Sequence, residues 1–254
     1  MNRQVPFENK YLIVGSGRLA KHLSLYFKLL KLQPLRWSRS NSQKFNTFHH
    51  IKNNQLRLFE TLKHSTHALL AISDNAIDEF AKCLPNHIVK IHFSGSLSTS
   101  HAQGLHPLMT FTNELYELET YIKIPFIIEE NNMSNELKHW IPEFKNPNFT
   151  INKDLKGLYH ALCVVGGNFT NILWREVVKS FQDQLHLPKE VLLPYLERTF
   201  KNIINNPLDS LTGPLQRGDF ETLSKNTQAL AEVKLDNLYK EFMKVQNLPP
   251  LKEQ

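Results

Sequence analysis

The sequence has little cysteine. Its 254 residues include two, Cys83 and Cys163, which excludes a disulfide framework and points to a reducing, cytoplasmic setting. Glycine and proline are sparse, at 9 and 13, too few for a collagen-like or linker-rich chain. No apolar run reaches the ~18 residues of a membrane span. The stretch Met1–Lys10 lacks the apolar core of a signal peptide, so no membrane role is expected. Charge of one sign does not dominate either: 30 basic and 24 acidic residues leave +6. The lysines are scattered, and the denser groups (Lys21, Lys28 and Lys31; Lys138 and Lys145) are interleaved with acids or apolar residues, which argues against a nucleic-acid surface. Histidines number 12, yet His49-His50 and His64-x-x-His67 have no carboxylate or thiolate set at ligand spacing, so no metal site is expected.

What is present is enough for a core: 41% hydrophobic and 21% charged residues, in one large domain or two modest ones. Tyr11–Val14 is a short apolar run that breaks at Gly15. Beyond Gly17, apolar residues fall at Leu19, Leu23, Tyr26, Phe27 and Leu30, a helical spacing. Leu35–Trp37 reads as a second strand, followed by an irregular polar stretch from Ser40 to about Asn54. Further strands are expected at His67–Ser73, Ile88–Phe93, Leu105–Phe111, Ile124–Ile128 and Asn148–Ile151. Helices are expected at Asn75–Cys83, with Asp74 as its N-cap, and at Ser134–Phe144. Strands alternating with helices imply a mainly parallel sheet covered on both faces. After about Asn152 the pattern is helical throughout: Lys156–Leu185, a helix starting near Pro188, Asp219–Ala231 and Lys234–Val245. The reading is therefore an α/β domain over residues 1–152 and an all-α domain over 153–254.

Gly15-x-Gly17-x-x-Ala20 fits the dinucleotide fingerprint in its alanine-ended form, with a strand before it and an amphipathic helix after. Gly15 permits the tight turn, and Gly17 lets a pyrophosphate approach the backbone. Ala20 allows close helix packing, and Ser16, Arg18 and Leu19 complete the loop. Ser38, Arg39 and Ser40 stand at the end of the second strand, where an NAD site usually has Asp or Glu. An arginine flanked by serines suits a 2′-phosphate, so NADP is favoured over NAD. Ser73 and Ser94 lie at strand ends where such sheets bind ligands, with Gly95 beside them toward the substrate.

Five segments occur in order: Ile13–Ala20, His92-Phe-Ser-Gly-Ser96, His106-Pro-Leu108, Lys156-x-x-Tyr159-His160 and Leu211-Thr-Gly-Pro-x-x-Arg217-Gly-Asp219. Together they resemble Rossmann-like proteins with an uncharacterised helical C-terminal domain, provisionally labelled NADP oxidoreductases. These are similar to pyrroline-5-carboxylate reductase, deazaflavin-dependent NADP reductase and the 6-phosphogluconate dehydrogenase-like group. The resemblance covers nearly the whole chain. It implies a Rossmann-type domain, an NADP-type cofactor and a homodimer formed through the C-terminal helices. The hydroxyacid dehydrogenases of that wider group carry Gly-x-x-x-Lys-x-x-x-Asn. This chain has Lys156-Gly-Leu-Tyr-His160 instead, so their lysine acid has no counterpart by motif.

Proton transfer is then left to the start of the first C-terminal helix. Tyr159 and His160 are the candidate catalytic residues, because reduction of a carbonyl or imine needs a proton donor. Lys156 shares a face with His160 at helical spacing, and Asn168 flanks it. With Gly95, His106 and Arg217 these are the candidate substrate contacts, at an interdomain cleft. Two functions follow: hydride transfer to or from a small carbonyl or imine, or nucleotide binding without turnover. Asp219 is expected to cap a helix. Cys163 reads as a small core residue. Gly166-Gly167, costly within a helix, implies close packing, a kink or a cofactor at the backbone.

Overall fold

The computed structural model describes residues 9–39, 48–130 and 133–249, with the backbone alone for 48–55. The chain divides into two compact units, Met1–Asn168 and Phe169–Gln254. Among the described residues, the first unit holds a seven-stranded sheet in the order β2-β1-β3-β4-β5-β6-β7. Its strands are β1 (Tyr11–Val14), β2 (Leu35–Trp37), β3 (His67–Leu70), β4 (Val89–His92), β5 (Gln103–Pro107), β6 (Phe126–Glu129) and β7 (Asn148–Ile151). All neighbours pair parallel except β5 with β6, which run antiparallel.

The sheet is apolar on both faces because its strands alternate. Tyr11, Ile13 and Leu69 join Ala20, Leu23 and Phe27 in one core cluster. Leu12, Val14, Ala68 and Leu70 join Leu62, Ile77 and Ala81 in another, on the opposite face. The first cluster uses helix α1 (Arg18–Leu29), the second α2 (Phe48–Lys63) and α3 (Asp74–Cys83). The expected irregular stretch therefore gives way to a helix from Phe48 onward.

Two short helices follow, α4 (Leu118–Tyr121) and α5 (Leu137–Trp140). The helix expected over Ser134–Phe144 shrinks to this single turn. Ile141 precedes Pro142 and takes φ −140°, ψ 84°, since a residue before proline is pushed out of the helical region. The boundary also differs. Residues 153–168, assigned from sequence to the helical domain, fall in the first unit. There α6 (Lys156–Cys163) is tied to the sheet through Lys156, and a π-helical segment, Val164–Phe169, follows it. Gly166 and Gly167 sit in that segment, and among the described residues nothing lies within 4 Å of a Cβ placed on either. The two glycines thus sit in a stretch of π geometry and not against a close-packed neighbour among the described residues.

The second unit is helical: α7 (Thr170–Asp183), α8 (Leu193–Asn205), α9 (Pro214–Arg217), α10 (Phe220–Leu230) and α11 (Asp236–Val245). Asp219 caps α10, accepting from the Thr222 amide at 3.2 Å. Among the described residues no helix is long and apolar enough to cross a membrane.

Candidate active site

The order β2-β1-β3 makes β1 the strand from which the chain departs in opposite directions, the crevice where open α/β sheets take ligands. A cleft of about 720 Å³ opens there, at the carboxyl ends of β1, β2 and β3. The glycine turn forms one wall. Gly15 has φ +131°, and a Cβ on it would stand 2.2 Å from the Ala71 carbonyl oxygen. Its amide donates to Trp37 O at 2.8 Å, tying the turn to β2. The backbone requires glycine here. Gly17 differs. It is the N-cap of α1 at φ −69°, and among the described residues nothing lies within 4 Å of its Cβ position. The first turn of α1 holds no acidic residue, and Gly17 makes no side-chain cap. The helix N-terminus thus presents its amides and partial positive charge to the cleft.

Ser16, Arg18 and Leu19 line the same cleft, as do Ser38, Arg39 and Ser73. Ser40 lies outside the described residues. The wall also includes residues not read as site residues from the sequence, among them Trp37, Ile72, Phe80 and Phe111. Trp37 and Phe80 have ring centroids 5.6 Å apart. Trp37 was the findable one, as an aromatic closing a strand just before Ser38. Nothing in the sequence marks Phe111.

Ser94 is turned elsewhere. Its Oγ donates to Asp74 Oδ2 at 2.6 Å and accepts from the Leu97 amide at 2.9 Å. Asp74 is not the N-cap of α3; Ser73 holds that place, without a side-chain bond. Asp74 instead accepts from Ser94 and, at 3.1 Å, from Ser96, fastening α3 to the end of β4.

A second group of expected residues does come together. His106 Nδ1 stands 2.6 Å from Tyr159 Oη. A Cβ on Gly95 would lie 2.6 Å from His160 Cδ2 and 3.1 Å from His106 Nε2. The absence of a side chain at Gly95 is what lets the two imidazoles approach, with centroids 6.4 Å apart. Burial pushes His106 down to about 4, helped by the charges of His160 and Lys156 and opposed by Asp74. Burial, with a further contribution from a hydrogen bond to Cys163, raises Tyr159 above its ordinary value. At neutral pH His106 is uncharged and Tyr159 keeps its proton. Cys163 is thus half-buried beside Tyr159 rather than a plain core residue.

The remaining expected contacts do not join this group. Lys156 is buried, its ammonium 2.7 Å from Glu129 Oε2. It shares a helical face with His160 but is seated against Gly104, where His160 is seated against Gly95. Asn168 is exposed in the π-helical segment, and Arg217 is exposed at the end of α9.

Comparison with known proteins agrees with this architecture. Residues 124–245 match a family model described as "Domain of unknown function (DUF2520)". The comparison with curated proteins found no match. Among solved structures, the chain is similar to a Bacteroides fragilis protein provisionally described as an NADP oxidoreductase, at 19% identity and TM-score 0.70, over 94% of this chain and 98% of that one. Protein TM1727 from Thermotoga maritima is 23% identical with TM-score 0.66, covering 93% and 96%. A reductive aminase from Aspergillus terreus, in complex with NADPH and ethyl levulinate, is 10% identical with TM-score 0.61, covering 94% and 92%. These likenesses establish the fold: a Rossmann-type sheet domain followed by helices.

Proposed function

We propose that the protein is an NADP-dependent reductase of small carbonyl or imine compounds, acting in the cytoplasm. The observation that carries this reading is the cleft at the β1–β3 switch point, whose glycine turn leaves room above Gly17 and whose wall includes Arg39. Gly15–Gly17 and the α1 N-terminus suit a pyrophosphate. Arg39 and Ser38 suit a 2′-phosphate, and Trp37 with Phe80 offers an apolar wall. Solved structures of this fold include an imine reductase and a reductive aminase in complex with NADPH, which supports the cofactor and the substrate class.

Bound NADPH supplies the hydride. The chain's own residues supply the proton and its control. Tyr159, protonated at neutral pH, offers a proton to the oxyanion or amine that develops on the substrate. Uncharged His106 fixes the direction of the Tyr159 hydroxyl. His160, against Gly95, is the second donor and orients the acceptor. We place the substrate beside Gly95.

The test is NADPH and NADH titration by calorimetry, then NADPH oxidation against a panel of imines and ketones. Tyr159→Phe and His160→Ala serve as controls. The reading expects NADPH binding, and turnover that both substitutions reduce. No binding of either nucleotide at millimolar concentration overturns it. Binding without turnover on a broad panel would make the protein a nucleotide-binding scaffold.

The partner is proposed to be a second copy of the chain. In α6 and the segment after it, Leu158, Leu162 and Val165 are 61%, 60% and 53% exposed at helical spacing. In the second unit Tyr195, Ile203 and Ile204 are exposed too. Apolar stripes of this kind mark interfaces. Sedimentation at micromolar concentration should show a dimer, and a Leu158→Glu, Leu162→Glu double variant should show less of it. A monomeric wild type removes the proposal.

A further inference from the structure

One rung of the sheet carries His92, Gly104 and Glu129. His92 pairs with Gly104 across β4 and β5. Glu129 lies opposite Gly104 one rung beyond the Leu105–Ile128 pair. Residues on one rung share a face, so the missing side chain at Gly104 leaves a notch between a histidine and a glutamate. Lys156 fills it. A Cβ on Gly104 would lie 2.9 Å from Lys156 Nζ, 2.9 Å from Glu129 Oε2 and 3.2 Å from His92 Cε1.

The pair is enclosed, with side chains 4% and 11% exposed. Lys156 Nζ also donates to the Leu97 carbonyl. Glu129 Oε1 accepts from Ser98 Oγ at 2.5 Å. His92 is fully buried, its Nδ1 accepts weakly from the Ser94 amide at 3.3 Å, and its Nε2 finds no partner among the described residues. Burying two charges costs about as much as their attraction returns, so such a pair is weak evidence for stability and better evidence for a fixed geometry.

The geometry concerns what lies one step further along both elements. His106 is two residues beyond Gly104, on the same face of β5 and ~7 Å along the strand. Tyr159 and His160 are one helical turn beyond Lys156, ~5 Å along α6. The two steps match closely enough that seating Lys156 on Gly104 brings Tyr159 to His106. We infer that the buried Lys156–Glu129 ion pair is the positioning element of the His106–Tyr159 site, locking the first turn of α6 onto the Gly104 notch. This rests on the reductase reading for its effect on turnover, and on geometry alone for its effect on His106.

Lys156 also adds to the field at the site, after burial and His160. The groups facing His106 are Tyr159, His160 and Lys156 from α6, Asp74 from α3 and His92 from β4. Lys156 is the fixed cation among them and acts against protonation of both His106 and His92. Lys156 and Glu129 are therefore positioning residues and not catalytic ones.

The experiment compares wild type, Lys156→Met and Gly104→Ala in the full chain. It reads NADPH affinity, kcat on the best substrate of the panel, and the His106 titration midpoint by imidazole NMR, assigned with His106→Asn. Lys156→Met should bind NADPH within about twofold of wild type, because the cleft is untouched. Its kcat should fall about tenfold or more, the scale of a small misplacement of a reacting group. The His106 midpoint should move up toward that of a free histidine. In Gly104→Ala the new methyl meets the movable ends of Lys156 and Glu129 and, at 3.2 Å, the edge of the buried His92 ring, which must give by a few tenths of an ångström, so the protein should fold with some loss of stability and show the same changes in smaller degree. If Lys156→Met does not fold, Gly104→Ala carries the test. Unchanged kcat with an unmoved His106 midpoint overturns the inference while leaving the reductase reading intact. If wild type shows no turnover, the reductase reading fails and the His106 midpoint alone decides this one.

Discussion

His106 on β5 and Tyr159 on α6, 53 residues apart in the chain, meet at 2.6 Å between Nδ1 and Oη. Neither carries charge at neutral pH, the imidazole held down to about 4 and the phenol held above its usual range. A hydroxyl that keeps its proton, held in place by an uncharged imidazole, is suited to hand that proton to a substrate once negative charge appears there. Tyr159→Phe should therefore lower kcat by about 100-fold or more and leave NADPH affinity unchanged. Steady-state kinetics beside calorimetry would show this. Equal losses in kcat and in cofactor binding would mean the hydroxyl is structural.

The two glycines of the turn should separate cleanly. Gly15→Ala puts a methyl 2.2 Å from the Ala71 oxygen at φ +131°, and should cost about 3 kcal/mol or more of stability. Gly17→Ala puts a methyl into open space. It should melt like wild type yet bind NADPH at least about tenfold more weakly, since the added carbon stands where a phosphate approaches. Melting curves and titrations on both variants decide it. Undiminished binding by Gly17→Ala would count against a phosphate in the turn.

Arg39 should set the preference for the phosphorylated cofactor. Arg39→Ala should weaken NADPH binding about 10- to 100-fold, the worth of a charge-assisted bond to a phosphate, and leave NADH nearly unaffected. The ratio of the two dissociation constants is the readout.

Stability should depend on acid in a particular direction. His92 and His106 are both held down to about 4, mainly by burial, while the unfolded chain titrates near the ordinary 6.5. Between these values the unfolded state binds more protons, so stability rises with pH across that window. It is fully present above about 6.5 and falls as pH drops toward 4, by on the order of 3 kcal/mol per histidine at most. Urea melts at pH 7.5 and 5 would test the sign, and replacing His92 with Gln should flatten the dependence.

How far the sequence reached is best seen helix by helix. The segment Tyr11–Leu29 was legible because an apolar run, a glycine break and a helical period follow one another without ambiguity, and β1 and α1 begin and end close to where those signals change. The seven strands and their mainly parallel order followed from alternation with helices. The helix from Phe48 was hidden by its polar first turns. At α6 the period correctly grouped residues by face but could not tell which face turns inward. Ordinary amphipathic logic would bury Leu158 and Leu162 and leave Lys156 in solvent. The structure does the reverse, with Lys156 3% exposed and the two leucines about 60%. Its partner Glu129, at the end of a strand read only by its apolar residues, gave no signal of its own. Tyr159 and His160 were picked from sequence as proton donors and Gly95 and His106 as substrate contacts of the same cleft; the fold adds the direct contact of His106 with Tyr159 and the approach of both imidazoles over Gly95.

The one reversal in the sheet has a directional consequence. Because β6 and β7 run against the first five strands, the chain quits the sheet at the rim opposite the glycine turn. The helix that follows must climb back across the sheet face to reach the rim of the glycine turn. On that ascent it meets Gly104 before His106. Had β6 run with its neighbours, the same helix would have started at the upper rim and led Tyr159 away from His106.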